Sequence, residues 1–197
     1  MGVVGARIAS EYGKKTARML TSGLAELGFM IVSGLARGID TIAHQRTLER
    51  GGRTLAVLGC GTDVVYPPEN QWLFEDISRS GAIVSEFPMG TKPEANCFPQ
   101  RNRIISGMSL GVLIVEASVK SGALLTARHA LEQGREVFAV PGPIDSENSQ
   151  GANRLIKNGA KLVHGVQDVI EELQGNLRGM PSPLQAEFIV PPRAVPG

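Results

Sequence analysis

The chain has 197 residues, 42% of them hydrophobic, and carries 20 Lys and Arg against 19 Asp and Glu, a net charge of +1. That length and apolar content suffice for one globular core, and the near-zero charge excludes a whole-surface basic field of the kind that gathers nucleic acid or acidic membrane, so any anion site must be local. Apolar runs fall short of the roughly 20 residues that span a bilayer, Cys60 and Cys97 form no C-x-x-C pair, and the N-terminus is not of export type. We therefore expect a reduced, cytoplasmic protein without membrane contact.

Seven short runs read as strands: "VVG" near residue 4, "FMIVS" near 31, "TLAVLG" near 56, "AIVSE" near 84, "GVLIVEA" near 114, "EVFAV" near 138 and "AKLV" near 162. They are mostly continuous in apolar character, as strands covered on both faces of a parallel sheet are. After the first comes "YGKKTARMLTSGLAELG", with Ala17, Leu20, Leu24 and Leu27 at helical spacing and Gly28 where a C-cap would sit. "GIDTIAHQRTLERGG" follows the second run with Ile39, Ile42 and Ala43 and stops at Gly51-Gly52. "GALLTARHALEQG" repeats the plan with Leu124, Leu125, Ala127, Leu131 and Gly134. Alternation of this kind predicts an α/β fold, a doubly wound and mostly parallel sheet of about seven strands. The predicted domain covers residues 1–174. Residues 175–197, rich in proline, read as a linker or tail. Met1-Gly2 opens almost inside the first strand, which leads us to expect a piece of a longer protein.

In open α/β sheets ligands bind outside the carboxyl ends of the strands, and most unusual stretches of this chain fall there. "SGLARGID", Ser33 to Asp40, places two glycines and Arg37 at a helix start, where backbone N–H groups carry partial positive charge. Taken alone, an anion-binding turn and a packing turn fit it equally. Arg7 and Lys14 or Lys15 follow the first strand, Arg101 to Arg103 follow the fourth, and Lys120-Ser121-Gly122 precedes a further helix. Several cations on one edge make a groove for a polyanion. The fourth loop, Phe87 to Pro99, is longer than compact domains need, and Phe98 within it is the candidate for stacking on a base. Tyr66 and Trp72 read as packing residues.

Other signals fail on context. "GMSLG", Gly107 to Gly111, has the letters of a nucleophile elbow but the wrong order of helix and strand, so Ser109 reads as a loop residue. "GCGTDV" lacks the third glycine of a dinucleotide turn. His44, His129 and His164 lack metal spacing, and His44, four after Asp40, reads as half of a helix-surface pair. No acid-base dyad or activated nucleophile is visible, so neither catalysis nor a cofactor is expected.

"VSGLARGID", "GGRTLAVLGCGTDVVYPPEN", "SEFPMGTKP", "FPQRNRIISGMS", "SGALLTARHALEQGREVFAVPG" and "GANRLIKNGA", in this order, resemble the DNA-processing protein A (DprA/Smf) family from Gly5 to about Leu173. The resemblance implies a Rossmann-like domain that binds single-stranded DNA, forms a homodimer and loads the RecA recombinase in natural transformation. In such proteins it lies between a small helical domain and a winged-helix-like one. Carried over by position, Arg7 matches the arginine of the family's turn after the first strand, Ser33, Gly34, Arg37 and Gly38 its glycine-rich pocket, and Arg53, Arg101 and Arg103 basic positions close by. Ala6 stands where relatives have Ser or Thr, and "EANC" stands where some have a lysine. A dimer surface is expected along residues 160–173, through Leu162, Val166, Ile170 and Leu173. The rival expectation is a nucleoside-monophosphate-cleaving enzyme of the lysine-decarboxylase-like group, whose P-G-G-x-G-T turn "PGPID" does not supply.

Overall fold

The structure is a computed structural model describing residues 1–177 of the chain. Seven strands, β1 (Gly2–Val4), β2 (Ile31–Ser33), β3 (Thr54–Leu58), β4 (Ala82–Ser85), β5 (Gly111–Ile114), β6 (Glu136–Ala139) and β7 (Lys161–Leu162), form one sheet in the order β4-β3-β2-β1-β5-β6-β7. Every pairing is parallel. Strands with both faces covered need no alternation, which is why these runs read as continuously apolar.

Successive side chains feed opposite layers. Val3, Leu113, Val115, Phe138 and Val140 join Leu20 and Leu24 of helix α1 (Glu11–Glu26), Ile39 and Ala43 of α2 (Ile39–Glu49) and Val169 and Leu173 of α7 (Val166–Leu177). Val4, Val112, Ile114, Val137 and Ala139 join Ile105 of α4 (Cys97–Gly107), Ala123, Ala127 and Ala130 of α5 (Gly122–Glu132) and Ala152 of α6 (Glu147–Lys157). A third cluster sets Ala56 and Leu58 of β3 against Leu73 and Ile77 of α3 (Gln71–Ser80). The sheet is doubly wound, with the predicted strand count.

Some expectations need correcting. Leu27 caps α1 and is exposed, and Leu131 is exposed because three small residues, Ala123, Ala127 and Ala130, face α5 to the sheet instead. Trp72 is exposed, since the i, i+4 pair Leu73 and Ile77 is what α3 turns inward. His44 is fully buried; its Nδ1 meets Thr54 Oγ1 at 2.6 Å, so it forms no surface pair with Asp40. Ser109 lies, as expected, between α4 and β5, its hydroxyl donating to Ile105 O at 2.7 Å. Helix α6 buries Ser149, Gly151 and Ala152, and its Leu155 and Ile156 pack partly buried against the same layer. Helix α7 runs on to Leu177, past the expected boundary at 174, and residues 178–197 of the expected tail lie outside the described residues.

Candidate nucleic-acid interface

From β1 the strand order runs outward to β2, β3 and β4 on one side and to β5, β6 and β7 on the other, so the direction of winding reverses between β1 and β5. At such a switch the two adjacent strand ends diverge into loops on opposite layers and leave a crevice. Here it is a cleft of about 730 Å³. Gly5 to Ile8 from the end of β1, Ala36 and Asp40 after β2, and Tyr66 after β3 line one part; Phe98, Arg101 and Asn102 of α4, Ser118 and Ser121 to Ala123 around the start of α5, and Asn148 of α6 line the rest. A smaller hollow shares Arg7, Tyr66, Phe98 and Arg101 and adds Gly34 and Arg37.

The turn "SGLARGID" is built tightly. Leu35 takes φ 56° with its side chain fully buried, Gly34 N donates to Asp40 Oδ2 at 3.0 Å, and Asn70 Nδ2 donates to Leu35 O at 2.9 Å. Gly38 has φ 76° and ψ −121°, a conformation in practice restricted to glycine. A Cβ there would lie 2.6 Å from Arg7 O and closer still to Ala6 O. Ile39 N donates to Ala6 O at 3.2 Å, so the start of α2 is joined directly to the loop carrying Arg7.

Ion pairing sorts the predicted cations. Arg37 pairs with Glu69, Arg103 with Glu86 and Lys14 with Glu11, all near the surface. Arg53 lies just before β3, at the amino end of the sheet, opposite the cleft. Arg101 is 4% exposed and donates from Nη1 to Gly34 O at 2.8 Å and to Val57 O. Among the described residues, no carboxylate lies within ion-pair reach of Arg7 or Lys120, both exposed. Of the expected phosphate contacts, then, Arg7 stands free in the cleft and Lys120 free beside it, Arg37 is engaged at its rim, and Arg53 and Arg103 are not among its lining.

Ser33 is also elsewhere than expected: it is fully buried and its Oγ donates to Val3 O at 2.6 Å, so its one hydroxyl donor is spent inside the protein. Ser121 caps α5, accepting from Ala123 N at 3.3 Å, and with Gly122 lines the cleft, so the N-terminal turn of that helix opens into it. Phe98 belongs to the first turn of α4 rather than to a loop, which spans only residues 86–96 and is tied down by Gly90 N donating to Asp63 Oδ1 at 2.8 Å and by Gly61 N donating to Thr91 O at 3.0 Å. The Phe98 ring lies 5.6 Å from that of Tyr66, with the guanidinium of Arg7 at 5.5 Å and that of Arg101 at 5.9 Å. Tyr66, which reads from sequence as a packing residue, is half of the cleft's aromatic pair.

At the foot of the cleft lies a set of buried titratable groups. Burial pushes the Asp40 carboxyl up while the Arg101 charge pulls it back, and burial followed by the Arg101 charge lowers His44 to about 3. Glu116, 2% exposed, accepts from Ser10 N at 3.0 Å and from Ser10 Oγ at the start of α1. On the far edge of the sheet, Leu173 is fully buried in the protein's own core and offers no free surface; Val166 and Ile170 are half-buried, and Leu162 is 41% exposed.

The family model for DNA recombination-mediator protein A matches residues 1–174. The chain belongs to that family. Within the DNA recombination-mediator protein A group, it is 48% identical over 192 residues to Protein Smf of Escherichia coli, covering 97% of this chain and 51% of that protein. The X-ray structure of DNA processing protein A from Streptococcus pneumoniae superposes with a TM-score of 0.81 at 45% identity, covering 87% of this chain and 60% of that one. A structure of DNA processing protein A from Helicobacter pylori, which concerns that protein's single-stranded DNA binding mode, gives a TM-score of 0.80 at 31% identity, covering 89% and 80%. The chain spans about half the length of the curated relatives it matches.

Proposed function

We propose that this domain binds single-stranded DNA in the cleft at the β1/β5 switch, without catalysing a reaction, and that in the cytoplasm it passes the strand to the RecA recombinase during natural transformation and recombination. The observation that carries the reading is the exposed Arg7, without a carboxylate partner among the described residues, held over the Phe98 ring, itself beside Tyr66, inside that cleft. Phosphate is matched by the guanidinium fork and by the N-terminal N–H groups of α5; bases are matched by aromatic faces, which accept any base and so select unpaired strands without reading sequence. The exposed Arg37–Glu69 pair contributes little to stability, so Arg37 at the cleft's rim is available to exchange Glu69 for phosphate.

The single-stranded DNA binding of the H. pylori relative supports the ligand class. A homodimer through the β7 edge uses Leu162 and the exposed flank of α7, with Leu173 supporting that face from within the core. The test is fluorescence anisotropy with labelled single- and double-stranded oligonucleotides at two salt concentrations. Preferential single-strand binding that weakens with salt is expected; equal affinity for duplex would overturn the reading. An assay of nucleoside monophosphate cleavage checks the enzymatic rival, and turnover lost with Arg7→Ala would favour it. Sedimentation of Leu162→Glu checks the dimer.

A further inference from the structure

Arg101 reads from sequence as a phosphate contact, yet its surroundings describe a different role. Its Nη1 donates both to Gly34 O at 2.8 Å and to Val57 O, so one nitrogen joins the chain leaving β2 to the carboxyl end of β3. Its Nε donates to Asn102 Oδ1 at 3.3 Å, and its Cζ lies 5.9 Å from the Phe98 ring centre. Gly34 presses on it so closely that a Cβ at that position would sit 2.6 Å from Nη2. Turning this side chain toward a ligand would strip two carbonyls of a buried donor, a penalty a phosphate contact must first offset. Its charge is also opposed from within by buried Asp40, whereas Arg7 has no such partner among the described residues.

We propose that Arg101 is a positioning residue: its guanidinium clamps the ends of β2 and β3 beneath Phe98 and thereby fixes the stacking platform of the cleft. This rests on the cleft being the single-stranded DNA site. Lysine does not replace it, because a single ammonium on a flexible stem lacks the planar fork that bridges carbonyls and stacks under a ring. A phosphate ligand and a clamp differ in one measurable respect. Each phosphate neutralised on a single strand contributes about 0.7 to the slope of log affinity against log salt; a clamp contributes nothing to it.

The experiment measures that slope by anisotropy for the wild type, Arg101→Gln, Arg101→Lys and Gly34→Ala, each checked for folding by thermal melting. Stacking is followed in parallel with an oligonucleotide carrying 2-aminopurine. We expect both Arg101 variants to bind at least tenfold more weakly with the wild-type salt slope and with diminished quenching of 2-aminopurine. Gly34→Ala displaces the guanidinium without removing any charge, and the same pattern is expected; should the Arg101 variants not fold, this variant decides. A slope lower by about 0.7 in Arg101→Gln and restored in Arg101→Lys would make Arg101 a phosphate ligand and overturn the proposal. So would a folded variant that binds and quenches like the wild type. Wild-type protein that fails to bind single strands refutes the cleft reading itself, before any variant is compared.

Discussion

Gly38→Ala tests the join between the turn after β2 and the loop that carries Arg7. Two effects act on the new methyl. Its backbone has φ 76° and ψ −121°, and holding an L-residue in so sparsely populated a region costs about 1–3 kcal/mol. The methyl also meets Arg7 O at 2.6 Å and Ala6 O more closely, both backbone atoms that cannot rotate aside, which adds the roughly 1–3 kcal/mol typical of an overpacked site. The sum, about 4 kcal/mol, is a large part of a stability of about 5–15 kcal/mol and corresponds to a fall in Tm of about 8–16 °C for a domain of this size. Gly51→Ala separates the two effects, because Gly51 has φ 68° and a methyl added there meets nothing within 4 Å, so backbone conformation alone acts, at about 1–2 kcal/mol. Urea denaturation of both variants gives the stabilities, and anisotropy with a single-stranded oligonucleotide shows whether the displaced Arg7 loop weakens binding. If Gly38→Ala were no less stable than Gly51→Ala and bound DNA like the wild type, the join between these loops would carry neither strain nor function.

Arg7→Ala removes the one cleft-lining cation left without an acidic or carbonyl partner among the described residues and should lower the salt slope by about 0.7 along with the affinity, whereas Arg103→Ala, at a residue paired with Glu86 outside the cleft lining, should leave both within error; a titration at three salt concentrations separates them. Phe98→Ala should weaken binding by about 1–3 kcal/mol at every base composition tested, and a loss confined to one base would show that the ring is part of a sequence reader. His44 has a folded pKa lowered from 6.5 to about 3, so the unfolded chain binds the proton more readily: its stabilising effect is complete above about pH 6.5 and is lost at about 1.4 kcal/mol per unit as pH falls toward 3. Urea melts from pH 7 to pH 4 should therefore show a steeper loss for the wild type than for His44→Gln, and parallel curves would contradict the assignment.

The parallel sheet was legible because burial on both faces leaves a one-dimensional trace: "TLAVL" and "GVLI" are almost wholly apolar, and all nine residues are buried. Helices α1 and α2 were legible where their apolar residues recur at three and four. Helix α6 was missed although Ala152, Leu155 and Ile156 recur at three and four, because its first turns approach the sheet through the small residues Ser149 and Gly151 and carry no apolar side chain. The carboxyl-edge placement of the cleft followed from element order alone. Which arginines are available within it did not, because availability depends on partners distant in the chain: Glu69 for Arg37, Glu86 for Arg103, and the carbonyls of Gly34 and Val57 for Arg101. The role of Tyr66 was hidden for the same reason, its partner Phe98 being 32 positions away and placed by a different helix.

These pairings also explain how a chain of net charge +1 can present an anion site. The effective charge of a cleft is set by the cations left without partners there, and by the dipoles that open into it, far more than by the total. Arg37 and Arg103 are each offset by a carboxylate brought in from another loop, and Arg101 is opposed by buried Asp40. Arg7 escapes because the join between Gly38 and Ala6 fixes its loop at the mouth of the β1/β5 crevice, where it meets the Phe98 ring rather than an acid. A cation resting on an aromatic ring is attracted without being neutralised, so under the proposed function it keeps its charge for a phosphate, and Phe98 supplies the face for the base attached to it.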